Sequence, residues 1–157
     1  MEKFTLRLKI WLFCLLGLVF CAFSDPESIT AYIDSLQKSF TDHYDADQEM
    51  SQVKRYEFNV TNNGFCRYKR YFGNGKTEYF SFKLSKFKDM DYVGTTVSGQ
   101  LYLYTKGDDI IVQTYKDKGG DVDSMTTRLM VPLKNMEPED LNLIRENLTK
   151  ICSVQVK

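Results

Sequence analysis

Few side chains in this sequence are suited to covalent or acid–base chemistry. His43 is the single histidine among 157 residues, and it lies in Asp42-His43-Tyr44-Asp45, a polar stretch that reads as a solvated loop. Without a second imidazole, a base for a serine or cysteine nucleophile would have to be His43 itself. The sequence has no Gly-x-Ser-x-Gly elbow, no phosphate-cradling glycine loop and no His-Glu-x-x-His helix. We therefore expect no catalytic residue, no cofactor and no metal site.

Asp45, Asp47 and Glu49 alternate like the first ligands of a calcium loop. The glycine and the closing bidentate glutamate of such a loop are missing, so the segment reads as a solvated acidic linker. Two sequons, Asn59-Val60-Thr61 and Asn147-Leu148-Thr149, fall in a predicted strand end and a predicted helix and read as chance occurrences.

The residues that stand out are tyrosines on alternating positions. Gln100, Tyr102 and Tyr104, with Ile111, Gln113, Tyr115 and Arg128, are expected on one sheet face, continued by Arg67, Lys69, Tyr71, Tyr79 and Lys83. Tyrosine combines flat apolar area with a hydroxyl, and interleaved Arg and Lys add charge, a combination that can grip a protein or a polymer. The candidate ligand-binding set is Tyr71, Tyr79, Tyr102, Tyr104, Gln113, Tyr115 and Arg128.

These residues must be placed by elements with a recognisable compartment and fold. Lys3, Arg7 and Lys9 precede an uncharged run that reaches Phe23, and Ala22-Phe23-Ser24 supplies small residues at a cleavage site. Residues 1–24 read as a signal peptide, and 25–157 as a single α+β domain that is secreted, periplasmic or held in the cell envelope. The apolar run is short for a bilayer span, no second one follows, and Phe20 ahead of Cys21 disfavours lipidation. The processed chain is expected to be soluble.

Lys+Arg and Asp+Glu are balanced at 21 each in the whole sequence. Cleavage removes three bases with one acid, leaving a formal charge of −2. That sign, with export, argues against nucleic acid as a partner. Cleavage also removes Cys14 and Cys21, leaving Cys66 and Cys152, which in an oxidising compartment are expected to pair and close a loop of about 85 residues.

Asp25-Pro26-Glu27 followed by Ile29, Ile33, Leu36 and Phe40 predicts a helix over 26–42. Pro138-Glu139-Asp140 followed by Leu141, Ile144, Leu148 and Ile151 predicts another over 138–152. Between them the period falls to two, with strands expected near 52–60, 65–72, 77–84, 96–105, 109–117 and 122–132. The predicted fold is an antiparallel meander of about six strands with an N-terminal and a C-terminal helix packed on one face.

A Gly73-Asn74-Gly75 turn would oppose Arg70 to Glu78, Tyr68 to Phe80 and Cys66 to Phe82. A Gly107-Asp108 turn would oppose Leu103 to Val112, and a Gly119-Gly120 turn Ile110 to Leu129. In that register Leu101, Leu103, Ile110, Val112, Met125, Leu129 and Val131 line the core.

The function expected from these features is a small exported binding module. It would offer its tyrosine face, or the hairpin loops 73–76 and 117–121, to a protein or polymer ligand, and an inhibitor of an exported hydrolase falls within that class. The alternative is a carrier holding an apolar small molecule between helices and sheet, in a cavity lined by Phe80, Phe82, Leu101, Leu103 and Leu129.

Overall fold

The computed structural model describes residues 29–48 and 53–155; the expected signal peptide lies outside them. Helix α1 (Ile29–His43) and helix α2 (Pro138–Gln155) flank eight antiparallel strands. These are β1 (Val53–Val60), β2 (Phe65–Phe72), β3 (Thr77–Lys83), β4 (Phe87–Gly94), β5 (Ser98–Thr105), β6 (Ile110–Tyr115), β7 (Asp123–Thr126) and β8 (Arg128–Lys134). The chain is α+β as expected, but the strands form two sheets, ordered β1-β2-β3-β6-β7 and β4-β5-β8. No helix among the described residues is long and apolar enough to cross a membrane.

The helices follow their apolar stripes. Ile33, Leu36 and Phe40 bury one face of α1, and Ile144, Leu148 and Ile151 one face of α2. Pro138 opens α2, whose first turn carries Glu139 and Asp140 at the positive end of the helix dipole. The Asp140 carboxylate also reaches back to accept the Glu137 backbone N–H at 3.1 Å, the returning half of a capping box. Asn147 is only 3% exposed and donates to Ser35 Oγ at 2.9 Å, joining the two helices. A glycan on Asn147 is incompatible with that packing, whereas Asn59 lies exposed on β1.

The β2–β3 hairpin has the register expected from its turn, with Arg70 opposite Glu78, Tyr68 opposite Phe80 and Cys66 opposite Phe82. The next expected hairpin does not form. Leu103 lies between Met90 and Leu129, while Val112 lies between Phe80 and Ser124. β5 and β6 therefore belong to different sheets, and Thr105–Ile110 is a crossing held by Thr105 N–H to Thr127 O at 3.0 Å and Lys106 N–H to Lys86 O at 3.0 Å.

The cause is β4, a strand whose pattern the period of two does not reveal. A bulge between Phe87 and Asp89 turns Phe87 and Met90 inward although they are three residues apart. β4 then takes the edge of β5 that β6 was expected to occupy. Tyr92 of β4 lies so close over Gly99 of β5 that a Cβ there would come within 2.4 Å of its ring, so only glycine fits.

The expected 122–132 strand is likewise cut at Thr127, with β7 in one sheet and β8 in the other. Ile110 opposes Thr126 and Ile111 opposes Met125, three positions from the expected pairing. That odd shift exchanges faces: Met125, expected in the core, is 58% exposed, while Leu101, Leu103, Ile110, Leu129 and Val131 are buried as expected.

The core between α1 and the five-stranded sheet is aromatic. Phe40 stacks on Phe58 at 4.0 Å and Tyr44 on Tyr56 at 3.4 Å between centroids. The buried hydroxyls of Tyr44 and Tyr68 meet at 2.8 Å. Gln37 of α1 donates its amide to Phe58 O and accepts from Val60 N–H, both at 2.8 Å. It thereby substitutes for a neighbouring strand along part of the β1 edge.

The expected disulfide is not formed: Cys66 and Cys152 are free thiols. Cys66 projects from β2 into the core at 1% exposure, and burial pushes its thiol far above the ordinary range. Cys152 Sγ instead faces the carbonyls of Ser85 and Phe87 at 3.7 and 3.9 Å. A thiol reagent should label Cys152 in the native chain and reach Cys66 only on unfolding. Peptide mapping that finds equal native labelling, or a peptide linking 66 to 152, would contradict this arrangement.

Asp45, expected in a solvated linker, is 4% exposed. Its carboxylate accepts from Ser98 Oγ at 2.9 Å, Gln48 Nε2 at 3.0 Å and Asp47 N–H at 3.2 Å. Burial alone would raise its pKa; the hydrogen bonds from Gln48, Ser98 and the backbone outweigh burial and hold it below the ordinary 3.8. With the folded value depressed, the stabilisation is complete above the unfolded value and is lost as pH falls through the folded one. Acid denaturation curves of Asp45→Asn should lack this limb, and an unchanged acid limb would show that the carboxylate is not linked to folding.

Candidate functional site

The face of the five-stranded sheet turned away from the helices is a lattice of opposed residues. One row across the strands runs Glu57, Lys69, Tyr79, Gln113, Asp123, and the next runs Arg55, Tyr71, Thr77, Tyr115. A third carries Asn59, Arg67, Ser81, Ile111 and Met125. Their side chains share this face because their neighbours Tyr68, Phe82 and Phe58 point into the core.

The rows are ordered by polar and ring contacts. The Arg55 guanidinium lies 4.0 Å over the Tyr71 ring and pairs with Glu57 at 2.9 Å, which also accepts from the Tyr71 hydroxyl at 3.2 Å. Lys69 Nζ stands 5.3 Å from the centre of Tyr79, and the Tyr115 hydroxyl donates to Gln113 Oε1 at 3.0 Å. Ring positions are thus set before any ligand arrives.

Two shallow depressions open on this side. One, of about 410 Å³, is lined by Arg67, Lys69, Tyr71, Thr77, Tyr79 and Tyr115. The other, of about 740 Å³, curls over the β1 edge between Thr41 and Tyr56 and shares Arg67 and Lys69 with the first. Neither of these two cations has an ion-pair partner among the described residues. Among the described residues, Arg55, Arg67 and Lys69 face the single acid Glu57 on the β1–β2 half, whereas exposed Ile111 and Met125 lie on the β6–β7 half.

Of the candidate residues, the structure brings Tyr71, Tyr79, Gln113 and Tyr115 together here. It places Tyr102, Tyr104 and Arg128 elsewhere, on the three-stranded sheet, where Tyr104 opposes Arg128 and the Arg128 guanidinium lies 5.4 Å from the Tyr102 ring. The expected single tyrosine face is therefore two separate surfaces, because β5 pairs with β4 and β8 instead of β6. The sequence reading missed Arg55 and Glu57, whose alternation on β1 opposite Tyr71 and Lys69 was the available signal.

The two hairpin loops lie side by side at one end of this sheet. Lys76 Nζ reaches Asp117 Oδ2 at 2.7 Å and Glu78 Oε1 at 2.9 Å. The bond to Asp117, then that to Glu78, raises the Lys76 pKa. The expected Gly119-Gly120 turn is a longer loop, closed by Asp117 N–H to Asp121 Oδ1 at 2.9 Å and by Gly120 at φ 100°.

His43 ends α1, donating Nδ1–H to Lys134 O at 3.1 Å with Nε2 3.9 Å from Asp140. It thus ties α1 to the start of α2 rather than lying free in a loop. Comparison with protein-family models, curated proteins and solved structures gives no match to this chain.

Proposed function

We propose that this chain is an exported, non-catalytic binding module whose outer five-stranded face holds an anionic polymer or the acidic surface of a protein. The observation that carries the reading is the pair Arg67 and Lys69. Both border two depressions, stand beside ordered tyrosines, and lack an ion-pair partner among the described residues. Local positive charge on a chain with no net positive charge favours one partner geometry over indiscriminate adhesion. Tyrosine rings add desolvated contact area that charge alone does not supply.

A column of immobilised polyglutamate or sulfated glycan should retain the protein at low salt and release it as ionic strength rises. Arg67→Gln with Lys69→Gln should elute at distinctly lower salt, and Tyr79→Ala should weaken retention further. Lys88→Gln, which removes an exposed charge from β4, should not. Equal loss in all variants, or none in any, removes this face from the reading.

A second reading rests on the Lys76–Asp117 contact, which ties loops 73–76 and 117–121 into one projection of the kind an inhibitor inserts into a hydrolase cleft. Export itself is supported by the charged start, apolar run and small cleavage-site residues of positions 1–24. Protein recovered from its source should begin at Asp25; an N-terminus that retains residues 1–24 would remove the exported reading.

A further inference from the structure

The two sheets end on β1 and β7 and on β4 and β8. Three of these edges are short or occupied: β7 has four residues, Arg145 of α2 donates to Met90 O of β4 at 2.8 Å, and Tyr44 and Asp45 bond β8 at Leu133 and Pro132. The remaining edge is β1. Thr61 N–H donates to Phe65 O at 2.9 Å, and in the same register Asn59 and Glu57 exchange backbone bonds with β2. Tyr56, Phe58 and Val60 therefore turn their N–H and C=O groups away from the sheet.

Gln37 marks that direction, since its side-chain amide holds Phe58 O and Val60 N–H, both at 2.8 Å. Tyr56 N–H, Tyr56 O and Phe58 N–H are left without a hydrogen-bond partner among the described residues. The depression of about 740 Å³ runs along this stretch, with Thr41 of α1 on one side and Arg67 and Lys69 on the other. A strand laid beside β1 would send alternate side chains to those two sides.

Charge selects the strand. Arg55, Arg67 and Lys69 stand on the outer side, and the acid among them, Glu57, is held by Arg55 and the Tyr71 hydroxyl. On the α1 side Asp42 is closed by Lys38, and Asp34 lies a turn before Gln37, toward Val60. A second copy of this edge would set its own bases against these, the device by which sheet edges avoid pairing with themselves. An acidic strand meets opposite charge instead.

We propose that the β1 edge takes up an extended acidic peptide as a further strand, bonded to the Tyr56 and Phe58 backbone with its carboxylates toward Arg67 and Lys69. The proposal names the partner of the outer-face reading and rests on it.

An alternating Glu-Thr peptide added to the chain should slow amide hydrogen exchange at Tyr56 and Phe58 by at least roughly tenfold. Sulfated glycan has no peptide backbone and should leave both rates unchanged. The same peptide N-methylated at every residue keeps its charge but cannot pair, and it should protect neither amide. Thr41→Trp, which fills the depression from an exposed helix position, should weaken the peptide by roughly tenfold. Unchanged exchange at Tyr56 and Phe58 at every peptide concentration, or equal binding of the methylated peptide, overturns strand addition and leaves retention by the glycan column untouched. Failure of that column to retain the protein overturns the outer-face reading instead.

Discussion

Tyr44 is where the two sheets and the first helix are joined. Its ring enters the core of the five-stranded sheet, stacked on Tyr56 and bonded through its hydroxyl to buried Tyr68. Its backbone forms an antiparallel bridge to Leu133 of β8, and the next residue, Asp45, donates its N–H to Pro132 O at 3.1 Å. The helix exit is therefore bound to both sheets at once.

Fixing α1 against one face of the five-stranded sheet leaves the other to solvent. There the alternation that buries Phe58, Tyr68 and Phe82 delivers Glu57, Lys69 and Tyr79 outward. The outer residues follow from the core register, and their ring contacts with Arg55 and Lys69 follow from strand spacing. Charge is uneven across this face because β1 and β2 carry the bases and β6 and β7 carry Ile111 and Met125, the former 39% exposed. An amphipathic surface of this kind suits a partner with an acidic and an apolar portion.

Polar groups buried in the fold each close a specific junction. Asn147 links α2 to α1, Asp45 links the first helix exit to the β4–β5 hairpin, and Gln37 covers part of an edge strand. Each has at least one partner far away in sequence, so each specifies tertiary position as well as adding stability. Cys66 and Cys152 contribute in the same packing terms, as one small buried side chain and one thiol directed at backbone carbonyls.

Both helices were legible from residue order alone, because an apolar stripe at 3.6 spacing is a local signal, and so is the acidic, proline-bearing start of α2; the start expected for α1 at 26–28 lies outside the described residues. So was the β2–β3 hairpin, where one register satisfies a charge pair and an aromatic stack together. The α+β class followed from those elements. Which strands share a sheet was decided only in three dimensions.

The bulge in β4 hid its alternation, and Gly107-Asp108 and Thr127 carry no local mark that the chain crosses between sheets there. That choice separated Tyr102 and Arg128 from Tyr79 and Tyr115. Local periodicity determines which side of a strand is oily. Competition among edges for the same hydrogen bonds determines which strand it lies beside, and only the whole packed chain resolves that competition.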